Sequence, residues 1–397
     1  MRPTSFDVAI VGAGPAGSAT AFLLASAGLR VALLDRSEFP RNKTCGDGLT
    51  PRATGVLDSL GVLTEVERYA VRCPAITLRN SDQVTYRLEL SPPTEPARDI
   101  LVLPRVVLDE ILREHAVAAG ATFIAHARVE ALRPGPDGRL RVLVERSQPL
   151  EAEVAVLAIG ASTGLLRRAG LLARDPPVNL AARAYFEDVD GLDDTVVIFF
   201  DGVKRPGYGW VFPTGPRQAN IGCGVFSGGV PQMEQLRSLL EAHPYLRRIL
   251  KNATQVGPME GHPLRTDFTP LHSGRGRIVV VGEALGLVNP LTGEGIDYAL
   301  ESAALAAKAI LHVWRDGRPA TDMHRGYQRE LSRKFTRLFA FSHLAQRFYF
   351  RDGVLDRFLR RAQQRPYLRR ILVDACFGGA NPVSPFSAGS LWEALRP

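Results

Sequence analysis

Three glycines in the run VGAGPAG, Gly12, Gly14 and Gly17, have GxGxxG spacing, and the residues on either side decide what that spacing can do. An apolar run at residues 7–11 precedes the turn and a small-residue run at 16–29 follows it, so the turn joins a buried strand to a helix. The three glycines then differ in what they allow. Gly12 permits the tight turn, Gly14 lets the backbone approach a pyrophosphate, and Gly17 allows helix and strand to pack closely. Pro15 and Ala16 open the helix, whose free N–H groups and partial positive charge favour phosphate. A second apolar run at 31–34 ends on Asp35 and Arg36, placing an acid where it can accept hydrogen bonds from ribose hydroxyls. This order of strand, turn, helix, strand and acid is that of a dinucleotide site.

The identity of the dinucleotide is read downstream. An apolar run ending at Val281 and the stretch GEALGLVNPLTGEGIDYALESA resemble the second FAD-contact segment of glutathione-reductase-like flavoproteins, in which a Gly-Asp pair holds the ribityl chain. Here the pair is Gly282 and Glu283, one methylene longer. Gly293, Glu294, Gly295 and Ile296 then open a helix. The resemblance implies that its first amides face the flavin pyrimidine, where the positive helix end stabilises charge on the reduced ring. Pro290 stands just before this turn as a substrate-side residue.

Three further stretches resemble the geranylgeranyl reductase family of FAD-dependent oxidoreductases, within the glutathione-reductase-like and p-hydroxybenzoate-hydroxylase-like superfamily. FPRNKTCGDGLTPRA follows Asp35, PRVVLDEIL begins at Pro104, and PGYGWVFPTGPRQANIGCGV begins at Pro206. The resemblance covers most of the first 315 residues and implies that Cys45 and Gly46 lie by the flavin, with Gly48 at the substrate. Cys45 is then a candidate proton donor. It also implies that Arg105 contacts FAD; the alternative is an Arg105–Asp109 pair on a helix surface. Arg41 and Lys43 either meet phosphates or are solvated. Tyr208, Trp210, Phe212 and Pro213 would line a substrate cavity, with Tyr208 and Trp210 beside Cys45 among the catalytic candidates, and Asn220, Gly222 and Gly224 mark the next strand. One family element is missing: Gly160, Ala161, Ser162 and Thr163 stand where relatives carry Gly-Ala-Asp-Gly, which bears on how NAD(P)H is used.

The resemblance implies a reductase in which NAD(P)H is the electron donor and the reduced flavin gives hydride to a C=C bond of an isoprenoid or other hydrophobic substrate. The same scaffold supports a monooxygenase that hydroxylates or epoxidises a hydrophobic metabolite, and a third reading is a non-catalytic, flavin-bound lipid-binding protein.

Composition narrows the setting. Hydrophobic residues make up 45% of the chain and charged residues 23%, as in a globular protein with ample core. Cys45, Cys73, Cys223 and Cys376 show no zinc-like spacing and are too few for a disulfide framework, so no metal and a reducing cytoplasm are expected. A strand at residue 7 leaves no room for a signal peptide, and no apolar run is long enough for a spanning helix. Of the net charge of +8, the basic excess sits at residues 325–372, where Lys and Arg far outnumber Glu330, Asp352 and Asp356. Phe335, Phe339, Phe341, Phe348, Tyr349, Phe350 and Phe358 interleave there. Such a stretch suits peripheral contact with an anionic membrane, or else an ordinary helical face with its aromatics packed inward. Nucleic acid is not expected, because no recognition motif accompanies the charge.

Around these residues the chain reads as α/β: a Rossmann-like FAD-binding domain of the GR2 type, an inserted antiparallel β-sheet substrate domain and a C-terminal helical extension. The FAD-binding domain is expected at 1–72, 100–165 and 270–318, the substrate domain at 73–99 and 166–269, and the helical region at 319–397. Helices are expected at 51–60, 105–119 and 294–314. Residues 121–129 and 140–145 read as strands of an inserted hairpin, 153–159 and 277–281 as buried strands, and 181–186, 195–200, 209–212 and 219–226 as the second sheet. PYLRRIL occurs at 244–250 and 366–372, which a shared helix start with Pro at the first position explains.

Overall fold

The computed structural model describes residues 5–79, 84–90, 99–135, 137–226, 232–349, 353–365 and 367–368. Its first sheet grows from the four apolar residues Val31–Leu34, which pair in parallel with Ser5–Val11; Leu150–Leu157 and Ile278–Val280 extend the sheet on one side and Thr122–Ile124 on the other. Both faces are covered, which is why these strands are continuously apolar rather than alternating. The helix Pro15–Ser26 packs on this sheet and against the helix Ile296–Arg315.

Residues 121–129 do not form one strand. Thr122–Ile124 closes the edge of the parallel sheet, and the chain then turns through His126 at a φ of 55°. The hairpin is made instead by Val129–Pro134 and Leu140–Val144, attached to Leu150–Leu157. A period-2 pattern cannot show a break at a residue that adopts the left-handed region, and His is among the few non-glycine types that do so readily.

The second sheet runs, in order, Thr254–Leu264, Asn179–Glu187, Gln218–Val225, Gly207–Gly215, Thr195–Phe199, Ala75–Arg79 and Thr85–Glu89. Register sorts the aromatics. Tyr208 lies opposite Gly224, Trp210 opposite Gly222 and Phe212 opposite Asn220, so three large rings on one face meet small or polar partners. A side chain at Gly222 would collide with the Trp210 ring. The alternate residue Val211 faces the other way, into a core closed by the helices Gln232–Ala242 and Pro244–Ile249. The second of these starts at the first PYLRRIL with Pro in its first turn; the second copy lies mostly outside the described residues.

Most of the described aromatic side chains of the basic C-terminal stretch face inward, whereas Tyr367 is exposed. Phe335 and Phe339 are buried against Phe268 and Tyr298, and Phe358 is buried, while Arg333, Lys334 and Arg337 are exposed. The side chains of Phe348, Tyr349 and Phe350, and Cys376, lie outside the described residues. Among the described residues no helix is long and apolar enough to cross a membrane.

Candidate functional site

Two glycines of the first turn are fixed by the fold and one is not. Gly12 has a φ of 103° and a Cβ there would collide with the carbonyl of Ala158; a Cβ on Gly17 would collide with the carbonyl of Gly12. Gly14 has room for a side chain, whose nearest neighbours would be the guanidinium groups of Arg41 at 3.5 Å and Arg105 at 3.9 Å. Gly14 therefore borders open space, and it caps the N-terminus of Pro15–Ser26.

That space belongs to a cavity of about 1130 Å³. Single drug-sized ligands occupy roughly 300–1,000 Å³, so a nucleotide and part of a second molecule fit. Gly12, Gly14, Pro15, Ala16, Asp35, Arg36, Cys45, Gly46, Gly48, Arg105, Glu283, Gly293, Glu294, Gly295, Ile296, Tyr208, Trp210 and Phe212 all line it. Gly17 and Gly282 stand behind the lining. Gly282, at a φ of 64°, places the strand end so close to Ala16 that a Cβ would lie 3.0 Å from that residue's Cβ. The N-termini of Pro15–Ser26 and Ile296–Arg315 are thereby brought to one cavity. Pro290 is the exception. It is buried and does not line the cavity, because the Asn289 side chain accepts from the Leu291 amide and folds the turn so that Leu291 to Gly295 face inward; the Pro290 carbonyl accepts from Gln346 instead.

The acids and bases are arranged less simply than their spacing implied. Asp35 accepts from the amides of Ala13 at 2.8 Å and Ser37 at 2.9 Å, so its carboxylate holds the glycine turn as well as bordering the cavity. Arg105 makes its pair with Asp109, in a two-bond fork of 2.6 and 2.8 Å, but the pair is buried rather than on a helix surface. Arg41 reaches the same Asp109 at 3.1 Å. Two guanidinium groups thus share one buried carboxylate at Gly14, with Asp35 4.0 Å from Arg41, and both present N–H donors to the cavity, as a pyrophosphate requires. Lys43 is not a solvated loop cation: it hydrogen-bonds His262, and burial lowers the lysine to about 8 and the histidine to about 3.

Next along the cavity stands the loop of Cys45 to Gly48. Burial pushes the Cys45 thiol up, against the pull of the nearby Arg105 charge. Cβ atoms added at Gly46 or Gly48 would meet Trp210 and Phe212, so the aromatic strand lies directly on this loop. Tyr208 donates to the carbonyl of Thr292, which joins the same strand to the Gly293 turn. Glu294, beside that turn, is pushed well above the usual carboxylate range by burial and then by Asp297, with Arg52 opposing. Beyond Trp210 the lining is apolar: Leu78, Ile198 and Phe200, closed over by Leu355, Phe358 and Leu359 of the helix Val354–Gln364.

Sequence reasoning missed that roof and the buried Asp47. Leu355, Phe358 and Leu359 have helical i, i+3, i+4 spacing that was open to reading. Asp47 lies inside CGDG, yet nothing local marks its partners, Tyr185 and Asn220, as neighbours. The two departures from the family pattern are also neighbours: the Glu283 carboxylate would lie 3.6 Å from a Cβ on Gly160, at the start of the altered GAST turn.

A glycine turn, two helix N-termini and two cavity-facing guanidiniums fit a dinucleotide, and an aromatic sheet roofs what lies beside it. That is the plan of a two-domain flavoprotein oxidoreductase. Residues 5–167 match the FAD binding domain family. A menaquinone reductase of Mycolicibacterium smegmatis is 32% identical over 77% of this chain and 76% of its own. Digeranylgeranylglycerophospholipid reductase 2 of Methanopyrus kandleri is 29% identical over 87% of this chain and 86% of its own. A geranylgeranyl bacteriochlorophyll reductase-like protein of Thermoplasma acidophilum superposes with a TM-score of 0.75 at 21% identity, covering 98% of this chain and 95% of its own, and so has the same fold. The chain belongs to the geranylgeranyl reductase family of FAD-dependent oxidoreductases.

Proposed function

We propose that this protein reduces a C=C bond of an isoprenoid or prenylated substrate. The observation that carries the reading is the cavity itself, in which a cationic glycine turn and a wholly apolar arm meet at Cys45, Trp210 and the Gly293 turn. FAD, when bound, supplies the hydride. The first-turn amides with Arg41 and Arg105 would hold its pyrophosphate, Asp35 and Arg36 its adenosine side, Glu283 the ribityl chain, with Gly282 behind it, and residues 293–296 the pyrimidine. Burial and the neighbouring Asp297 push the Glu294 carboxyl well above the usual carboxylate range, which favours its neutral form beside that ring.

Saturating an alkene requires a proton as well as a hydride. Cys45 holds one, because burial keeps it a thiol, and the Arg105 charge would stabilise the thiolate left behind. Tyr208 and Trp210 hold the alkene over the loop and exclude water, while Leu78, Ile198, Phe358 and Leu359 take the hydrocarbon tail. The reading takes NAD(P)H as the reductant, so anaerobic NADPH or NADH should bleach the flavin absorption, and a failure to bleach would assign a different donor.

The exposed Arg333, Lys334 and Arg337 support a peripheral, electrostatic contact with anionic lipid, the medium that would carry such a substrate. Co-sedimentation with phosphatidylglycerol vesicles and not with phosphatidylcholine vesicles, lost in high salt, is the expected result. For the reaction, mass spectrometry of the product formed under argon with chemically reduced holoenzyme is decisive. A gain of two hydrogens supports reduction; turnover that requires oxygen and adds one of its atoms would replace the reading with oxygenation.

A further inference from the structure

Asn220 is fully buried, and its amide nitrogen reaches the Cys45–Asp47 loop while its carbonyl oxygen reaches the neighbouring strand. The nitrogen donates to the carbonyl of Cys45 at 2.7 Å and to the Asp47 carboxylate at 2.7 Å, and the oxygen accepts from the Trp210 indole at 3.0 Å. Asp47, also fully buried, sits at a φ of 67°. It accepts in addition from the Tyr185 hydroxyl at 2.5 Å and from the Arg105 amide at 3.2 Å. The loop that carries the proton donor and the strand that carries the cavity wall are therefore joined through one amide and one carboxylate. These residues are 173 positions apart in the chain.

Resting on the reductase reading, we propose that Asn220 and Asp47 are positioning residues that fix Cys45 against Trp210, and that the clamp holds only while Asp47 carries its negative charge. Asp47 accepts three hydrogen bonds, and an ionised carboxylate accepts without having to donate. Protonation turns the Oδ2 that Tyr185 and Asn220 share into a hydroxyl, which donates to a rotated Tyr185 but is a poorer acceptor from Asn220, so the bond that ties the loop to the strand weakens. The charged or titratable groups that face Asp47 are Arg105 of the helix Arg105–Ala118, Tyr185 of the strand Asn179–Glu187, with Arg183 over its ring, and Cys45 of its own loop. Burial raises Asp47 to about 6, and the bonds from Tyr185, Asn220 and Arg105 oppose the rise. The switch therefore falls close to neutral pH rather than deep in the acid range.

None of this requires either residue to touch the substrate, and a displacement of about 1 Å at a reacting group costs roughly 100-fold in rate. Two variants separate the clamp from a merely structural role. Asp47→Asn keeps a residue type that tolerates positive φ, and Asn220→Ala leaves the Asp47 charge in place. Both holoenzymes should retain FAD. In each, kcat should fall by roughly 100-fold with KM little changed; the natural protein should lose activity as pH drops through about 6, and Asp47→Asn should lack that acid limb.

A readout that does not depend on the reaction is the alkylation of Cys45 by iodoacetamide, followed by mass spectrometry, because Cys73 and Cys223 are fully buried. Both variants should alkylate at Cys45 faster than the natural protein, by roughly tenfold or more, as the released loop exposes the thiol. Unchanged alkylation in Asn220→Ala, an acid limb that persists in Asp47→Asn, or loss of bound FAD from both variants would overturn the clamp. Should the natural protein fail to saturate any prenyl compound while Cys45 alkylation still accelerates in both variants, the clamp stands and the reductase reading falls.

Discussion

Gly282 and Ala16 approach so closely that a single methyl group on the glycine would lie 3.0 Å from the alanine Cβ. Gly282 follows the strand Ile278–Val280 on the way to the Gly293 turn, and Ala16 belongs to the first turn of the helix that follows Gly14. Their contact brings two helix N-termini to one point, and the partial positive charge of both is then available to a single anionic ligand. The site's chemistry depends on this junction of backbone more than on any one side chain.

The first-turn glycines should separate by what each is needed for. Gly14→Val should fold with an unchanged melting temperature as apoprotein and bind no FAD, because its side chain enters the cavity rather than the core. Gly12→Val should fail to accumulate as folded protein, because its side chain collides with the Ala158 carbonyl. Thermal melts beside flavin absorbance check both.

Replacing the sulfur tests the proton donor. Cys45→Ala should retain FAD and reduce turnover by roughly 100-fold or more, the usual contribution of a positioned acid. Normal turnover, or loss of the cofactor, would remove Cys45 from the chemistry.

Ionised Asp47 should carry a cost in stability. Its folded value of about 6 stands above the ordinary aspartate value of 3.8, so the native state holds the proton more tightly than the unfolded chain. Stability contributed by that proton is present below the unfolded value and is lost as pH rises through about 6. Asp47→Asn should therefore melt higher than the natural protein at about pH 8, and the difference should shrink toward about pH 4, even though its activity is lower. Melting curves across pH give the sign.

Glu294 should favour its neutral form. Burial and Asp297 raise its carboxyl well above the usual range, so Glu294→Gln, which matches the neutral acid, should shift FAD affinity and the flavin midpoint potential less at acid pH than at alkaline pH. A large shift in the potential at acid pH, measured by dye equilibration, would show that the residue is ionised beside the ring.

How much of this was legible in the sequence follows from how far apart the cooperating residues lie. Local signals placed Val31–Leu34, the Gly12 turn and the helix Ile296–Arg315, because each is set by spacing within one element. The aromatic strand was readable for the same reason, through Tyr208, Trp210 and Phe212 at period 2. Asn220 and Asp47 each stood inside a recognised motif, but nothing in either motif says that they meet. Pro290 was misplaced because the direction of its turn is set by the Asn289 side chain. The strand at 121–129 was overextended because His126 breaks it through a backbone angle that hydropathy does not record. The roof at Leu355, Phe358 and Leu359 is amphipathic in sequence, but only the fold shows which apolar surface it covers.

The most direct test of the central claim is to mix photoreduced holoenzyme with a geranylgeranyl compound in the strict absence of oxygen and follow the flavin absorption. Reoxidation in step with saturation of the alkene is the predicted result. A flavin that stays reduced across polyprenyl and prenylquinone compounds, and reoxidises only when oxygen is admitted, would contradict the account.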